Sequence, residues 1–229
     1  MPRSASPIEI CLEVGAKRVI ASALDWPGWA RVGRDRDAAL LALVEYGPRY
    51  ARALRGARLG FHPPAEPAAL VVVETIKGNA TTDYGVPALA AKADARPVDA
   101  QALKRLAAIL RACWRALDAT AEAAEGHKLT TGPRGGGRDL EKLLGHVQGA
   151  EVSYLSRLGA KVSVPEDDPV AERLRLTQAA VLKAMPAAAR GEFPKLGPRG
   201  GVRWSVRYFT RRAAWHVLDH AWELEDRLG

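Results

Sequence analysis

Two histidines near the end of the chain have the spacing of metal ligands. His216 and His220 lie four residues apart in the segment Arg212–Glu223, whose alanine, leucine and tryptophan content is typical of a helix. This spacing puts both imidazoles on one helix face with Cβ atoms about 6 Å apart, from which two nitrogens can reach one ion. The pair could equally be solvated on the surface of a basic protein, since histidine is intermediate in burial.

A third histidine strengthens the metal interpretation. His146 lies among the apolar positions of an earlier helical segment that includes Leu143 and Leu144. A lone histidine on an apolar face is more often a core residue bonded to a carbonyl. In an up-down-up-down bundle, however, the second and fourth helices run the same way, and His146 and His216 then lie at comparable depth. Three neutral imidazoles suit Zn, Ni, Fe or Mn and leave open positions, as a catalytic site requires.

Carboxylates beside the predicted ligands offer a further role. Asp219 and Glu223 share the segment of His216 and His220. Either could orient an imidazole, and Glu223 could act as a general base, which makes it the one candidate catalytic residue. A surface salt bridge is the alternative for both.

Two glycine-rich loops repeat the peptide Gly-Pro-Arg-Gly-Gly. One loop begins at Gly132 and precedes the second helix of the expected bundle, and the other begins at Gly197 and precedes the fourth. If these helices are parallel, both loops lie at one end of the bundle. Their backbone N–H groups and arginines suit a carboxylate or a phosphate. We therefore predict that Arg134 and Arg199 bind an anionic substrate or thiol cofactor; the alternative is simple chain punctuation with solvated arginines.

The elements that must position these residues follow from periodicity and capping residues. From Asp99 onward, four helices are predicted, and the first third of the chain has strand patterns and shorter helices. The predicted helices of the bundle span 99–125, 139–158, 169–189 and 205–228; the earlier elements are strands at 8–14, 17–24 and 69–76 and helices at 35–46 and 49–54. The expected fold class is α+β, with a small N-terminal α+β domain (1–80), a linker (81–98) and an up-down-up-down four-helix bundle (99–229).

Composition narrows the function classes. The 229 residues are 48% hydrophobic and 26% charged, with a net charge of +8, values of a globular protein. Cys11 and Cys113 lie far apart and are expected to be buried and reduced. The N-terminus lacks a secretory pattern and no apolar run is long enough to cross a membrane, so we expect a cytoplasmic protein with no membrane partner. The basic charge permits nucleic-acid binding and suits an anionic small molecule equally well.

The histidine motifs resemble a known family. Trp215-His216-x-x-x-His220, paired with Leu143-x-x-His146 and a following Glu151, resembles the DinB superfamily of four-helix-bundle proteins over about residues 99–229. That resemblance implies that His146, His216 and His220 hold a divalent metal. It also implies a thiol-dependent transferase or isomerase as one class of activity, with mycothiol, bacillithiol or glutathione as the low-molecular-weight thiol; many members have no assigned activity.

The first third has a resemblance of its own. Asp25-Trp-Pro-Gly-Trp29 followed by Gly33-Arg-Asp and an alanine- and leucine-rich helix resembles the HicB-like antitoxin fold over about residues 8–75. It implies a scaffold more than an activity. A dimerisation module, and hence a homodimer, or a ligand-sensing module would fit it.

Three hypotheses for function follow. The first is a metal-dependent enzyme acting on a small anionic molecule or thiol conjugate, with the reaction open among transferase, isomerase and hydrolase. The second is a nucleic-acid-associated regulator with a HicB-like module, which salt-dependent DNA retention would support. The third is a bundle that serves only as a scaffold.

Overall fold

The chain folds into two compact units. The computed structural model describes residues 7–131 and 137–228, and the units divide between Arg96 and Pro97. The first unit contains a four-stranded sheet and the second contains four long helices. The predicted α+β class is confirmed.

The first unit is built on a mixed sheet with the strand order β3-β2-β1-β4. Its strands are β1 (Ile8–Val14), β2 (Val19–Ala23), β3 (Ala30–Gly33) and β4 (Leu70–Lys77). β1 pairs antiparallel with β2 and parallel with β4, while β2 pairs antiparallel with β3. The sequence predicted three of these strands; β3, only four residues long, was missed because so short a run shows no alternation.

Helix α1 (Arg36–Glu45) covers the β2–β3 side of the sheet. The Asp35 side chain caps it by accepting from Ala38 N, at the start of the helix predicted at 35–46. The shorter α2 (Gly47–Ala53) follows, with Pro48 in its first turn, where a proline is tolerated. Two buried aromatic side chains fix this corner: Trp29 Nε1 donates to Leu43 O and Tyr50 Oη donates to Pro27 O, both at 2.8 Å.

Most of the segment predicted as a linker folds onto the first unit. A four-residue helix, α3 (Ala80–Asp83), and a 3₁₀ turn at Lys92–Ala95 lie within it. The carboxylate of Glu13, on β1 and 2% exposed, accepts from the backbone N–H groups of Ala88 and Leu89 and from Thr82 Oγ1. Ala91 packs against Cys11 and Leu24. Because the buried carboxylate of Glu13 needs these donors, the segment that supplies them belongs to the first unit. The division between the units therefore falls between residues 96 and 97.

The second unit contains the four helices that the sequence predicted. They are α4 (Ala100–Ala124), α5 (Leu140–Leu158), α6 (Val170–Ala189) and α7 (Val206–Arg227). Three of their N-caps, Asp99, Asp139 and Ser205, accept a backbone N–H three residues on. Such a cap is a local signal, so the starts of these helices could be predicted from the sequence. α7 packs against all three other helices and buries most of its residues.

Hydrogen bonds at the two ends of α7 define its direction. At its amino end, Trp204 N donates to Arg157 O at the end of α5, and Arg207 Nη2 donates to Pro97 O just before α4. At its carboxyl end, Arg227 Nη2 donates to Arg138 O just before α5. Helix α7 therefore runs parallel to α4 and antiparallel to α5.

Helix α6 runs in the same direction as α5. Gly159, which ends α5, abuts Phe193 just beyond α6, and Gln148 Nε2 donates to Thr177 Oγ1 midway along both helices. Residues 160–169 must cross back along α5; at about 3.3 Å per residue they can span about 33 Å, more than the roughly 28 Å of a 19-residue helix. The bundle is up-down-down-up. The expected up-down-up-down order is wrong because this connection is a crossover and not a tight turn.

Among the described residues, no helix combines the length and the apolar character needed to cross a membrane.

Candidate metal centre

The three predicted histidine ligands meet in the structure. His146 on α5 and His216 and His220 on α7 each direct one nitrogen to a common point, and these atoms all lie within 4.8 Å of one another. Because α5 and α7 are antiparallel, the start of α5 lies beside the end of α7. His146 is about 9 Å along α5 from its first residue, and His220 is about 10 Å from the last residue of α7. The sequence predicted that these three histidines lie close together, but it assumed parallel helices, and α5 and α7 are antiparallel.

The separation between two of the nitrogens fits a shared ion. Nε2 of His216 and Nε2 of His146 are 3.2 Å apart. Two imidazole nitrogens on a tetrahedral ion, each about 2.0–2.1 Å from it, would be about 3.3 Å apart. The same distance also permits a hydrogen bond between the imidazoles when one of them carries a proton on Nε2.

Glu223 orients the third imidazole. Its Oε2 lies 2.9 Å from His220 Nδ1, and its Oε1 accepts from Arg227 Nη1 at 3.3 Å. This contact lowers the pKa of Glu223, so it is a carboxylate at neutral pH. When Nδ1–H donates to that carboxylate, the lone pair of His220 is on Nε2, the nitrogen free to bind a metal.

Arg227 anchors this arrangement to the start of α5. Its side chain is 3% exposed. Besides Glu223, it donates through Nε to Thr130 O at 2.7 Å and through Nη2 to Arg138 O at 2.8 Å. One buried guanidinium thus joins the segment before α5, where His146 follows, to the end of α7, and fixes the relative position of the helices that carry the histidines.

Burial and nearby charges keep two of the three imidazoles, those of His146 and His216, neutral. His216 and His220 are 7% and 9% exposed, whereas His146 is exposed. Burial, followed by the charges of His220 and Arg212, lowers the pKa of His216 to about 2. Burial and then the charge of His220 also lower the pKa of His146. His216 and His146 therefore each present a lone pair at neutral pH, which is the form that binds metals.

Without a cation or a shared proton, nitrogen lone pairs that lie this close together repel one another. A divalent ion would turn the converging lone pairs into ligands, so the donor set fits Zn, Ni, Fe or Mn.

The structure describes one of the two arginines predicted to bind an anion. Arg134 lies outside the described residues. Arg199 is in the turn at 197–201, and the same loop bonds to the end of α5: Arg203 N donates to Lys195 O, while Arg203 Nη1 donates to Ser156 O. Ser156 is ten residues beyond His146, about 15 Å along the helix. The parallel helices expected to bring both loops to one end are antiparallel, so the loop of Arg199 lies at the other end of the bundle.

Glu151, which belongs to the DinB-like motif, is paired with a tryptophan of α4. It is 1% exposed and accepts from Trp114 Nε1 on α4. Burial raises its pKa to about 8, so at neutral pH it is mainly protonated. It is not part of the three-histidine group.

Sequence reasoning missed several residues around the histidines. Arg227 is four residues after Glu223, a spacing that favours an ion pair on one helix face, so its contact with Glu223 could have been predicted. Arg212 is likewise four residues before His216, so its place on the same helix face could have been predicted. Tyr154 had no such signal: its ring centroid lies 5.8 Å from that of His216 and 5.1 Å from Arg212 Cζ. Tyr154 and His216 come from different helices, and only their packing shows the contact.

Comparisons with protein-family models, with curated proteins and with solved structures found no match to this chain. The DinB-like and HicB-like resemblances therefore stay predictions, and the function is inferred from the geometry.

Proposed function

We propose that this chain is a divalent-metal-binding protein whose second unit holds one ion through His146, His216 and His220. The observation that carries the proposal is the convergence of three imidazole nitrogens within 4.8 Å from two antiparallel helices. Three protein ligands leave coordination positions open, the pattern of catalytic rather than structural sites. The carboxylate of Glu223 on His220 is the outer contact that metal-binding histidines commonly have.

We further propose that the protein is a metal-dependent enzyme acting on a small anionic molecule or a thiol conjugate, as the DinB-like motifs imply. A bound ion of this type lowers the pKa of a water or thiol and polarises an oxygen-containing group. The chain's own residues supply neutral ligands, a positioning carboxylate and positive charge from Arg138 and Arg212, both of which act on His216. In this proposal Glu223 is a positioning residue, because both of its oxygens are engaged by His220 and Arg227.

Metal content tests the proposal. The sharpest variant is His146→Ala, because His146 is exposed and its truncation leaves no cavity in the bundle. The matched control is His127→Ala, an exposed histidine of the same unit outside the cluster. After incubation with zinc and removal of free ion, elemental analysis should find about one zinc per wild-type or His127→Ala chain and a large deficit in His146→Ala. Equal zinc content in all three proteins would overturn the proposal.

Thermal unfolding gives an independent measurement. A ligand at 100 times its dissociation constant stabilises a folded protein by about 2.7 kcal/mol. For a chain of this size that corresponds to a rise in Tm of roughly 5–10 °C. Zinc should produce such a rise in the wild type and in His127→Ala, and a much smaller one in His146→Ala. A zinc-induced rise of the same size in His146→Ala would contradict a site built on this residue.

A further inference from the structure

Arg212 is placed one helical turn before His216 on the same face of α7. Its side chain is half-buried, and its Nη1 is buried without a hydrogen-bond partner among the described residues. Its Cζ lies 4.8 Å from the ring centroid of Trp215 and 5.1 Å from that of Tyr154. The guanidinium is thus held between two aromatic rings, beside a predicted metal ligand.

These aromatic contacts leave Nη1 of Arg212 without an acceptor in the part of the chain that the structure describes. Contact with an aromatic ring stabilises a guanidinium through its charge, whereas its N–H groups point outward in the plane of the group. A buried donor without a partner is unfavourable. Arg227 shows the opposite case, since three of its nitrogens donate to protein oxygens. Arg227 is structural, and Arg212 has a donor left for a ligand.

The position of Arg212 links this donor to the histidine cluster. The Tyr154 ring lies beside both groups, with its centroid 5.1 Å from Arg212 Cζ and 5.8 Å from the His216 ring centroid. Residues four apart on a helix have Cβ atoms about 6 Å apart. Arg212 and His216 therefore lie beside the same ring and on the same face of α7, which places the guanidinium next to the histidine cluster.

The charges around the cluster favour a negatively charged ligand. Arg138 and Arg212 both add positive potential at His216. The carboxylate of Glu223 is held by His220 and by Arg227, so its charge is compensated. A divalent ion on neutral imidazoles would add to the positive potential, which attracts anions and repels cations.

We propose that Arg212 forms an oxyanion-binding subsite next to the three-histidine centre. There its guanidinium binds a carboxylate or phosphate group of the same small molecule that reaches the metal. The inference rests on the proposed metal site and names the residue that selects an anionic substrate. It replaces the sequence prediction for Arg199, whose loop is bonded to the other end of α5. A planar guanidinium can make two parallel hydrogen bonds to such a group, which a lysine cannot.

The test uses the full-length protein loaded with cobalt(II), whose visible absorption responds to ligands near the ion. Inorganic phosphate and acetate are titrated in separate experiments, which distinguish phosphate from carboxylate recognition. The variants are Arg212→Gln, Arg212→Lys and the control Lys142→Gln. Lys142 is one turn before His146, as Arg212 is one turn before His216, and it is exposed and paired with Asp139.

We expect Arg212→Gln to keep its cobalt and to bind the preferred anion about tenfold or more weakly than the wild type, since hydrogen bonds to charged groups contribute about 1.5–3 kcal/mol. Arg212→Lys should lose less affinity, and Lys142→Gln should match the wild type. Unchanged affinity in Arg212→Gln, or no anion binding to the cobalt-loaded wild type, would overturn the subsite and leave the metal site standing. A wild type that takes up no cobalt would instead overturn the proposed function and the subsite with it.

Arg212→Lys decides the matter if Arg212→Gln does not fold, as judged by its helical circular dichroism. Lysine keeps the charge and most of the apolar stem but lacks the planar fork. Wild-type anion affinity in Arg212→Lys would then contradict a role for the guanidinium, and a loss of several-fold would support it.

Discussion

Replacing Glu223 with glutamine tests whether this carboxylate positions the third imidazole. Glutamine has nearly the same shape, and its amide oxygen can still accept from His220 Nδ1, where Glu223 Oε2 lies at 2.9 Å. The negative charge that strengthens this hydrogen bond is lost, and the amide nitrogen would face the donors of Arg227. The imidazole keeps an acceptor but loses basicity and part of its orientation.

The expected magnitude follows from this geometry. Outer-shell partners of metal-binding histidines change metal affinity by about 10–100-fold, or about 1.4–2.7 kcal/mol. Glu223→Gln keeps an acceptor and should be at the low end, near tenfold. Glu223→Ala removes the acceptor as well and should be near a hundredfold.

Zinc affinity is measured by competition with a chromogenic chelator, with Asp226→Asn as the control because Asp226 is an exposed carboxylate on the same helix. The control should bind zinc like the wild type. Zinc affinity unchanged in both Glu223 variants would refute the positioning role. If activity toward an identified substrate were lost while zinc affinity stayed the same, Glu223 would instead be a general base.

Two further predictions concern buried ionisable side chains of the second unit. Burial raises the pKa of Glu151 from 4.5 to about 8, so between these values the folded chain holds a proton that the unfolded chain has released. The free energy of unfolding should therefore fall with rising pH across this window by on the order of 4 kcal/mol. Urea denaturation at pH 5 and pH 8 should show this fall in the wild type and not in Glu151→Gln, and equal falls would contradict it. Replacing Arg227 with alanine leaves the Glu223 carboxylate and the carbonyls of Thr130 and Arg138 without their donor. Its free energy of unfolding should drop by roughly 3–5 kcal/mol, with partial recovery in Arg227→Lys, and a loss below about 1 kcal/mol would argue against an anchoring role.

Local sequence signals located the helices of the second unit. Asp99, Asp139 and Ser205 cap α4, α5 and α7 at the predicted helix starts, because an N-cap depends on a side chain and backbone only three residues apart. Gly159 ends α5 with a positive φ of 129°, which suits glycine. Signals of this range do not involve the rest of the fold, so they could be read from the sequence.

Features that depend on distant contacts were harder to predict. β3 is too short to show a period and exists through its pairing with β2. Residues 80–95 have the composition of a linker, yet the buried carboxylate of Glu13 on β1 binds their backbone N–H groups. A sequence pattern cannot show such a pairing, because donor and acceptor are about 75 residues apart.

The sequence by itself determined which residues could form the centre: the four-residue spacing of His216 and His220 puts both on one helix face, and His146 lies on another helix. Only the tertiary structure decided how they meet. Side-chain periodicity is the same for a helix running in either direction, so the antiparallel arrangement of α5 and α7 and the crossover before α6 could not be predicted from it. That arrangement puts the loop of Arg199 far from the histidines and Tyr154 of α5 beside His216 of α7, since chain direction decides which parts of two helices are neighbours.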